Sequence, residues 1–195
     1  MNEKKKFDLK NYGIFIVFIG LVILLMIISP NAFAKPRNLI NVVKQASING
    51  ILSCGMMFVI IAGGIDLSAG STIALAGVCA AYAAQQNVPL IVPIMVAVIV
   101  GAAVGAINGF GAAYAGLPPF IITLATMSAI RGLALIVSKG SPVFGLQDSF
   151  ELLAGSSILN AVPILAVYFI LITCICGFIL TRTVFGRRVY AIGGN

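Results

Sequence analysis

Asp66 lies in the stretch GGIDLS, residues 63–68, and is the only charged side chain between positions 45 and 130. Its neighbours are apolar or small, so hydrogen-bond donors must compensate the charge of this carboxylate. The two glycines can end one helix with a positive φ, and Asp66 or Ser68 can cap the first amides of the next helix. A second interpretation, compatible with capping, is that a helix broken at membrane depth lines a cavity or a hinge.

Polar side chains inside other apolar runs are the next candidates for a chemical role. Gln45, Asn49 and Ser53 recur every four residues, so they form one stripe on a helix. Such a stripe either forms hydrogen bonds to neighbouring helices or lines a water-filled substrate cavity, and the spacing leaves both open. Arg131 lies well inside a later apolar run. Its long side chain can extend to the outer membrane interface, or it can pair with a group in a pathway.

Few residues are suited to acid–base or metal chemistry. The chain has no histidine and only five acidic residues, so a general acid and base pair or a metal site has little to build from. The cysteines all lie inside apolar runs, where we expect small buried hydrophobic residues: Cys54, Cys79, Cys174 and Cys176. The sequence therefore predicts neither an enzyme nor a metal site.

The elements that position these residues must be membrane helices. Of the 195 residues, 61% are hydrophobic and 9% are charged, with a mean hydropathy of +1.13, whereas a typical soluble domain carries roughly 25% charged residues. The formal net charge is +7. Most basic residues cluster beside apolar runs, so their charge indicates topology rather than nucleic-acid binding. We predict an all-α, polytopic membrane helix bundle.

Apolar runs separated by turn-forming residues give about six transmembrane segments, since a spanning helix needs about 20 mostly apolar residues. Residues 1–12 are predicted to be a cytoplasmic leader, and residues 13–195 a transmembrane domain. Although Ala32-Phe33-Ala34 resembles a cleavage site, the first apolar run is long and other runs follow it, so we expect an uncleaved span. The predicted spans are Gly13–Ser29, Leu39–Ala62, Ala69–Gln85, Leu90–Ala113, Phe120–Ser138 and Val162–Leu180.

The distribution of basic residues predicts the orientation, because cytoplasmic ends carry more Lys and Arg. Six alternating spans with the N-terminus inside place one group in the cytoplasm: Lys4, Lys5, Lys6, Lys10, Arg182, Arg187 and Arg188. A smaller group lies outside: Lys35, Arg37 and Lys139. The same alternation puts GGIDLS near the cytoplasmic side and a long loop, Lys139–Asn160, outside.

The fourth span contains GAAVGAINGFGAA, in which Gly101, Gly105 and Gly109 are four residues apart. A ridge without side chains lets another backbone approach closely, which is how membrane helices gain van der Waals contact. We expect these glycines to pack against a neighbouring helix.

Three stretches together make the sequence resemble a known family. They are SPNAFAKPRNLINVVKQASINGILSCGMMFVIIAGGIDLSAGSTIALAG, GLPPFIITLATMSAIRGLALIVSKGSPV and TRTVFGRRVYAIGGN, and they cover nearly the whole chain. In this order they resemble the membrane permease subunits of ribose-type ABC importers, in the family that also includes branched-chain amino acid permeases. Relatives continue past GGN with a docking helix and further spans, so we expect a C-terminally truncated fragment.

The resemblance implies an importer component in the bacterial inner membrane. Its expected partners are a second permease subunit, two cytoplasmic ATPase subunits that bind the ATP, and a periplasmic or lipid-anchored sugar-binding protein; no cofactor is expected in this subunit. The stretch FGRRVYAIGGN would begin the loop that docks on the ATPase, with Arg187, Arg188, Gly193, Gly194 and Asn195. From their polarity, the hypothetical translocation pathway includes Gln45, Asn49, Asp66 and Ser68.

Two other functions stay open at this stage. A cation-coupled secondary transporter would use Asp66 to take up a proton or a sodium ion. A structural or assembly protein would bind neither a sugar-binding protein nor an ATPase. We expect the first function, translocation of a ribose-like monosaccharide by an ATP-binding cassette importer.

Overall fold

The computed structural model describes residues 13–158 and 162–194. The predicted leader, residues 1–12, and Asn195 lie outside the described residues, as does part of the loop at 159–161. The described chain is almost entirely helical, which confirms the predicted fold class. The helices are α1 Gly13–Ile28, α2 Pro30–Phe33, α3 Pro36–Ile61, α4 Ala69–Ala84, α5 Ile91–Ala113, α6 Pro119–Ser138, α7 Asp148–Gly155, α8 Ile164–Arg182 and α9 Val184–Gly193.

Each of the six predicted spans corresponds to one of the longer helices, with shifted ends. The helix of the second predicted span, α3, begins at Pro36 rather than at Leu39, because proline is tolerated in the first turn, where no intrahelical donor is needed. Among the described residues, α3, α5, α6 and α8 are long and apolar enough to cross a membrane. The apolar helices α1 and α4 have 16 residues each, and at 1.5 Å per residue they extend only about 24 Å.

The predicted outer loop, Lys139–Asn160, contains secondary structure that the sequence reasoning missed. It includes the short helix α7 and the strand β1, Ser157–Ile158, which pairs antiparallel with β2, Val162–Pro163. This pairing explains why the sixth span begins as a helix only at Ile164. The start of the loop is tied to α4, since Gln85 Nε2 donates a 2.6 Å hydrogen bond to the carbonyl of Phe144.

The chain divides into two compact units, residues 1–45 and residues 46–195. The first contains α1, α2 and the beginning of α3, and in it Asn38 Nδ2 donates a 2.9 Å hydrogen bond to the carbonyl of Phe33. In the second unit, α4, α5 and α6 pack against one another, and α8 packs against α9. The Asp66 stretch and the cavities described below all lie in the second unit.

The buried residues of the second unit are small or polar, whereas the large apolar side chains point outwards. Leu75, Ala80, Ala84 and Val104 are buried together with several hydroxyl and amide side chains. By contrast, Ile136 of α6 is 75% exposed. A surface of large apolar residues around a core of small ones suits lipid as the solvent, because helix contact there depends on close packing rather than on water exclusion.

The packing predicted for the glycine ridge of α5 is not found within the described chain. A Cβ added at Gly101, Gly105 or Gly109 would find no atom within 4 Å, so this ridge does not pack against another helix of the described chain. The close approach occurs at Gly111, where a Cβ would lie 2.7 Å from Ile122 Cγ1 of α6. The reason is the face that α5 buries: positions 104, 108 and 111 point inwards, and the glycine ridge is rotated from them by one residue, about 100°.

The cysteines differ from the predicted set of buried residues. All four are free thiols, but only Cys54 is buried; Cys79 and Cys176 are partly exposed, and Cys174 is exposed. The reason is that Cys174 and Cys176 lie on α8, and the only buried residue of α8 is Leu180, near its end. An apolar run therefore identified a membrane helix without identifying which of its faces is covered.

Candidate functional site

The GGIDLS stretch begins where α3 ends in a hydrogen-bonded turn. Gly63 has a φ of 80°, its amide donates to the carbonyl of Ile60 at 3.0 Å, and the amide of Gly64 donates to that of Val59 at 2.9 Å. These two bonds form a Schellman motif, in which the left-handed position favours glycine. The predicted helix end is confirmed, with the positive φ at Gly63 and not at Gly64.

The carboxylate of Asp66 is held by Ser68. Asp66 Oδ1 accepts a 2.7 Å hydrogen bond from the Ser68 amide and another 2.7 Å bond from the Ser68 hydroxyl. Ser68 immediately precedes α4, and its own side chain makes no capping bond. The predicted capping is wrong, since the carboxylate binds the amide in front of the helix rather than those of the first turn. The positive end of the helix dipole still stabilises a charge at this position.

A buried chain of polar side chains continues from Ser68 into two other helices. Asn108 of α5 donates from Nδ2 to Ser68 Oγ at 2.8 Å, and Thr126 of α6 donates to Asn108 Oδ1 at 2.6 Å. Ser68 is 1% exposed, and Asn108 and Thr126 are also buried. Bonds among ordered polar groups in a low-dielectric interior fix the relative position of the elements that carry them. Asp66 is thereby connected to α4, α5 and α6.

Sequence reasoning missed Asn108 and Thr126, although one signal was present. Asn108 is the only residue of α5 whose side chain carries a hydrogen-bonding group. A lone amide in an apolar span faces the bundle interior rather than lipid, because its polar atoms need partners. The surrounding glycines drew the interpretation of this span towards packing instead.

The stretch between α3 and α4 runs along α6 rather than turning at its end. A Cβ at Gly64 would lie 3.6 Å from Pro119, the first residue of α6, and Thr123 donates a 3.1 Å hydrogen bond to the carbonyl of Ile65. Ser68 then reaches the level of Thr126 through Asn108. Seven residues separate Pro119 from Thr126 on α6, a rise of about 10 Å at 1.5 Å per residue.

This geometry favours an element at membrane depth over a simple turn. The extended stretch covers about 10 Å along α6, and α4 covers about 24 Å. Together these lengths match a hydrocarbon core of about 30 Å. The lengths favour one discontinuous span from Gly64 to Ala84, in which α4 is short because the extended stretch makes part of the crossing. Its backbone carbonyl at Ile65 is satisfied by Thr123, as irregular backbone in a membrane requires.

A cavity of about 220 Å³ opens beside Asp66. Its wall combines Gly55 and Val59 of α3 with Gly101 and Gly105 of α5, and among the described residues that line it Asp66 is the only charged one. Because Gly101 and Gly105 have no side chains, they leave room next to the carboxylate. The volume suits a ligand smaller than a drug-sized molecule.

The other predicted pathway residues lie elsewhere. Gln45 is an exposed residue of the first unit. Asn49 is exposed in the second unit, its carbonyl accepts a 2.8 Å bond from Ser53 Oγ, and it does not line the cavity beside Asp66. The structure thus brings Asp66 and Ser68 together but not Asn49, and a pathway role for the polar stripe stays a prediction.

Arg131 is an exposed residue that lines a separate cavity of about 510 Å³. The wall of this cavity includes Leu67 and Ser71 at the start of α4 and Ser128 of α6. No acidic side chain in the described part of the chain pairs with Arg131. Both predicted roles of Arg131, at the membrane interface and in a pathway, stay predictions.

Helix α9 contains Arg187, Arg188 and Gly193 of the predicted docking-loop entry, whose role in docking stays a prediction. Thr183 begins the helix and accepts a 3.2 Å bond from the amide of Gly186, while Arg187 and Arg188 are exposed. Gly193 and Gly194 end the helix. The helix also contacts α3, since the ring centroids of Phe58 and Phe185 are 6.0 Å apart.

The sequence matches a known family over most of this architecture. Residues 38–195 match the family described as branched-chain amino acid transport system / permease component. The chain belongs to this permease family. The matched region includes every helix from α3 to α9 apart from the first two residues of α3, so it contains the discontinuous span and the Asp66 cavity. The resemblance recognised in the sequence is confirmed.

Several curated permeases are similar to the chain. The ribose import permease protein of Bacillus subtilis is 41% identical over 181 residues, which are 91% of this chain and 56% of that protein. The D-allose transport system permease protein of Escherichia coli is 34% identical over all of this chain and 61% of its own length. The L-arabinose transport system permease protein of Escherichia coli is 40% identical over 94% of this chain and 56% of its own. No solved structure matches.

The chain spans 56% to 61% of the length of these three permeases. With its apolar helices, it is a multi-pass membrane protein of a permease family. The similar proteins are transport components, in agreement with the prediction that the chain is not an enzyme.

Proposed function

We propose that this chain is the membrane-spanning permease component of an ATP-binding cassette importer that moves a monosaccharide across the bacterial inner membrane. The observation that carries the proposal is the cavity beside the carboxylate of Asp66, in a chain whose relatives are named for ribose, allose and arabinose. The residues proposed for the translocation pathway are Asp66 and Ser68, together with Asn108 next to them.

The chemistry of the site suits a hydroxyl-rich ligand that must be released again. Asp66 Oδ1 is occupied by Ser68, whereas Oδ2 makes no hydrogen bond within the described residues. A free carboxylate oxygen accepts strongly from a sugar hydroxyl. Most of the remaining wall consists of glycines and apolar side chains, which offer few polar contacts. The site would therefore orient a ligand without holding it tightly.

The proposed partners supply what the described chain lacks. ATP would be bound by two cytoplasmic ATPase subunits, not by this chain, whose sequence contains no Gly-rich phosphate loop ending in Gly-Lys-Ser/Thr. A second permease subunit and a sugar-binding protein outside the membrane would complete the importer. Helix α9, with Arg187 and Arg188 exposed, would lead into the docking surface for the ATPase, and no cofactor is proposed for this subunit.

Uptake of labelled pentoses by the complete transporter tests the proposal. Asp66→Asn keeps the size of the side chain but removes its charge and half of its acceptor capacity. We expect uptake to fall about tenfold or more, the effect of losing roughly 1.4 kcal/mol from one charge-assisted bond. Asp148→Asn, at the start of α7, is the matched control and should leave uptake unchanged. Full uptake by Asp66→Asn would remove any need for the carboxylate.

The same assay separates ATP-driven import from cation-coupled transport. The relatives include an L-arabinose ABC transporter permease protein of Azospirillum brasilense, which favours import over a cation-coupled carrier. We expect uptake to require the ATPase subunits and to persist when the ion gradients are collapsed. Uptake that needs no ATPase and stops with the gradient would assign Asp66 to cation coupling.

A further inference from the structure

The second unit contains two sets of helices that meet at the GGIDLS stretch. We infer that Gly63 and Gly64 form a hinge between these sets and that Gly193 fastens α9 to one of them. The first set, called the α3 arm, consists of α3 from Ala46 onwards with α8 and α9. The second set, called the α4 arm, consists of α4, α5 and α6. The hinge stands on contacts alone, whereas its use in transport rests on the proposed function.

One face of α3 forms the seam of the α3 arm. A Cβ at Gly50 would overlap the ring of Phe169 of α8, and Cys54 Sγ lies 3.4 Å from Thr173 Oγ1 of the same helix. One turn further, Phe58 contacts Phe185 of α9. Positions 50, 54 and 58 are four residues apart, so they share one side of the helix. These side-chain contacts join α3 to α8 and α9 over about two turns of α3.

Gly193 closes this seam at the cytoplasmic end predicted for α9. A Cβ at Gly193 would overlap the carbonyl group of Ile61, the last residue of α3, and a Cβ at Gly63 would lie 4.0 Å from Gly193 Cα. The atoms in the way are backbone atoms, which cannot rotate aside as a side chain can. The backbone of α9 therefore lies directly against the end of α3, two residues before the hinge. A displacement of α9 is transmitted to Gly63 through this contact.

The α4 arm is fastened on the other side of the two glycines. Thr123 holds the carbonyl of Ile65, and Asn108 with Thr126 holds Ser68. Between Ile61, fixed to α9, and Ile65, fixed to α6, the chain has only three residues, two of which are glycines. Hinges consist of a few residues that absorb a change of φ and ψ, and glycine does so at the lowest steric cost.

The Asp66 cavity lies between the two arms. Gly55 and Val59 line it from the α3 arm, and Gly105 and Asn108 line it from the α4 arm. Rotation about Gly63 and Gly64 changes the width of the cavity while the bonds of Asp66 to Ser68 stay intact, because both residues belong to the α4 side. The structure assigns Gly193 as a positioning residue, which acts on the carboxylate site through the end of α3.

Distances between spin labels test the hinge in the full chain in lipid nanodiscs, without sugar or ATPase. The cross-arm pair joins Cys174 of α8 to Val98→Cys of α5, and the within-arm pair joins Val98→Cys to Leu135→Cys of α6. All three positions are exposed. Of the other cysteines, Cys54 is replaced by serine, so that a polar atom still faces Thr173, and the rest are replaced by alanine. Gly193→Ala is the test variant. The control is Gly77→Ala, where a Cβ meets nothing within 4 Å.

We expect Gly193→Ala to shift the cross-arm distance by about 2 Å or to broaden its distribution, because non-bonded carbon atoms need a separation of about 3.5–4.0 Å. The within-arm distance should stay constant in every variant, and Gly77→Ala should change neither pair. Phe185→Ala, which removes the ring from Phe58, should broaden the cross-arm distribution if Gly193→Ala protein cannot be recovered.

Two outcomes would overturn the inference. One is a cross-arm distance that is unchanged in Gly193→Ala, or in Phe185→Ala where that variant replaces it. The other is an equal change in both pairs, which would mean that the arms are not separate bodies. The distance measurements use no substrate. A failure of the hinge inference can therefore be distinguished from a failure of the uptake test with Asp66→Asn.

Discussion

Replacing Asn108 by leucine removes the amide that joins Ser68 to Thr126, and its cost can be worked out from the contacts. Leucine has a similar size, so the change deletes two hydrogen bonds, of 2.8 and 2.6 Å, without opening a large cavity. Neither partner is left without a bond, since Ser68 still donates to Asp66, and the Thr126 hydroxyl hydrogen is free to donate to the carbonyl of Ile122, 2.7 Å away.

The expected loss for Asn108→Leu therefore lies near the range measured for interhelical bonds in membranes. With about 0.6–1.7 kcal/mol for each of two bonds, the free energy of unfolding should fall by about 1–3 kcal/mol. Thr126→Val should cost about 1 kcal/mol, because it leaves Asn108 Oδ1 without its donor. In the double variant the shared bond is lost only once, so its cost should be smaller than the sum of the single costs by about 0.6–1.7 kcal/mol.

The assay is reversible unfolding in mixed micelles, followed by circular dichroism for the four proteins of the cycle. Asn49→Leu is the matched control, since it makes the same chemical change at an exposed position of α3 and should stay within about 0.5 kcal/mol of the parent. Strictly additive costs would show that Asn108 and Thr126 do not interact. A cost at Asn49 equal to that at Asn108 would show that amide removal in general, and not this network, lowers the stability.

Three further changes probe the elements around the site. Gly63→Ala should lower the free energy of unfolding by about 1–2 kcal/mol, because its φ of 80° is left-handed; Gly63→Asn should cost less, and thermal melting checks the order. Gly111→Ala should cost about 1–3 kcal/mol through overpacking against Ile122, with recovery in the Gly111→Ala, Ile122→Ala double variant and no loss in the control Gly109→Ala. Thr183→Ala should cost about 0.5–2 kcal/mol by removing the cap of α9, seen as faster amide exchange of Gly186; unchanged exchange would contradict the capping role.

Local chemistry made the helical runs and the end of α3 predictable. Apolar length identified the spans, and the paired glycines at positions 63 and 64 identified the break, because both features act within a few residues. Distant contacts were not predictable in the same way. Whether Asn108 or the glycine ridge faces the bundle depends on the rotation of α5 about its axis. That rotation is set by Ser68 and Thr126, which are far from Asn108 in sequence.

The charge of Asp66 also determines the direction of the hydrogen bonds around it. Ser68 has one hydroxyl hydrogen, and an ionised carboxylate can only accept, so this hydrogen points to Asp66. Ser68 Oγ must then accept from Asn108, which fixes the amide with its oxygen towards Thr126.

An uncharged group at position 66 removes this requirement. The Ser68 hydroxyl is then free to donate to Asn108, and the amide can turn over so that it donates to Thr126 while Thr126 donates to Ile122. The single charge in this part of the membrane thus orients polar groups on three elements. For this reason the stability cost of Asp66→Asn should depend on whether Asn108 is present, and equal costs in the parent and in Asn108→Leu would show that the charge acts on Ser68 alone.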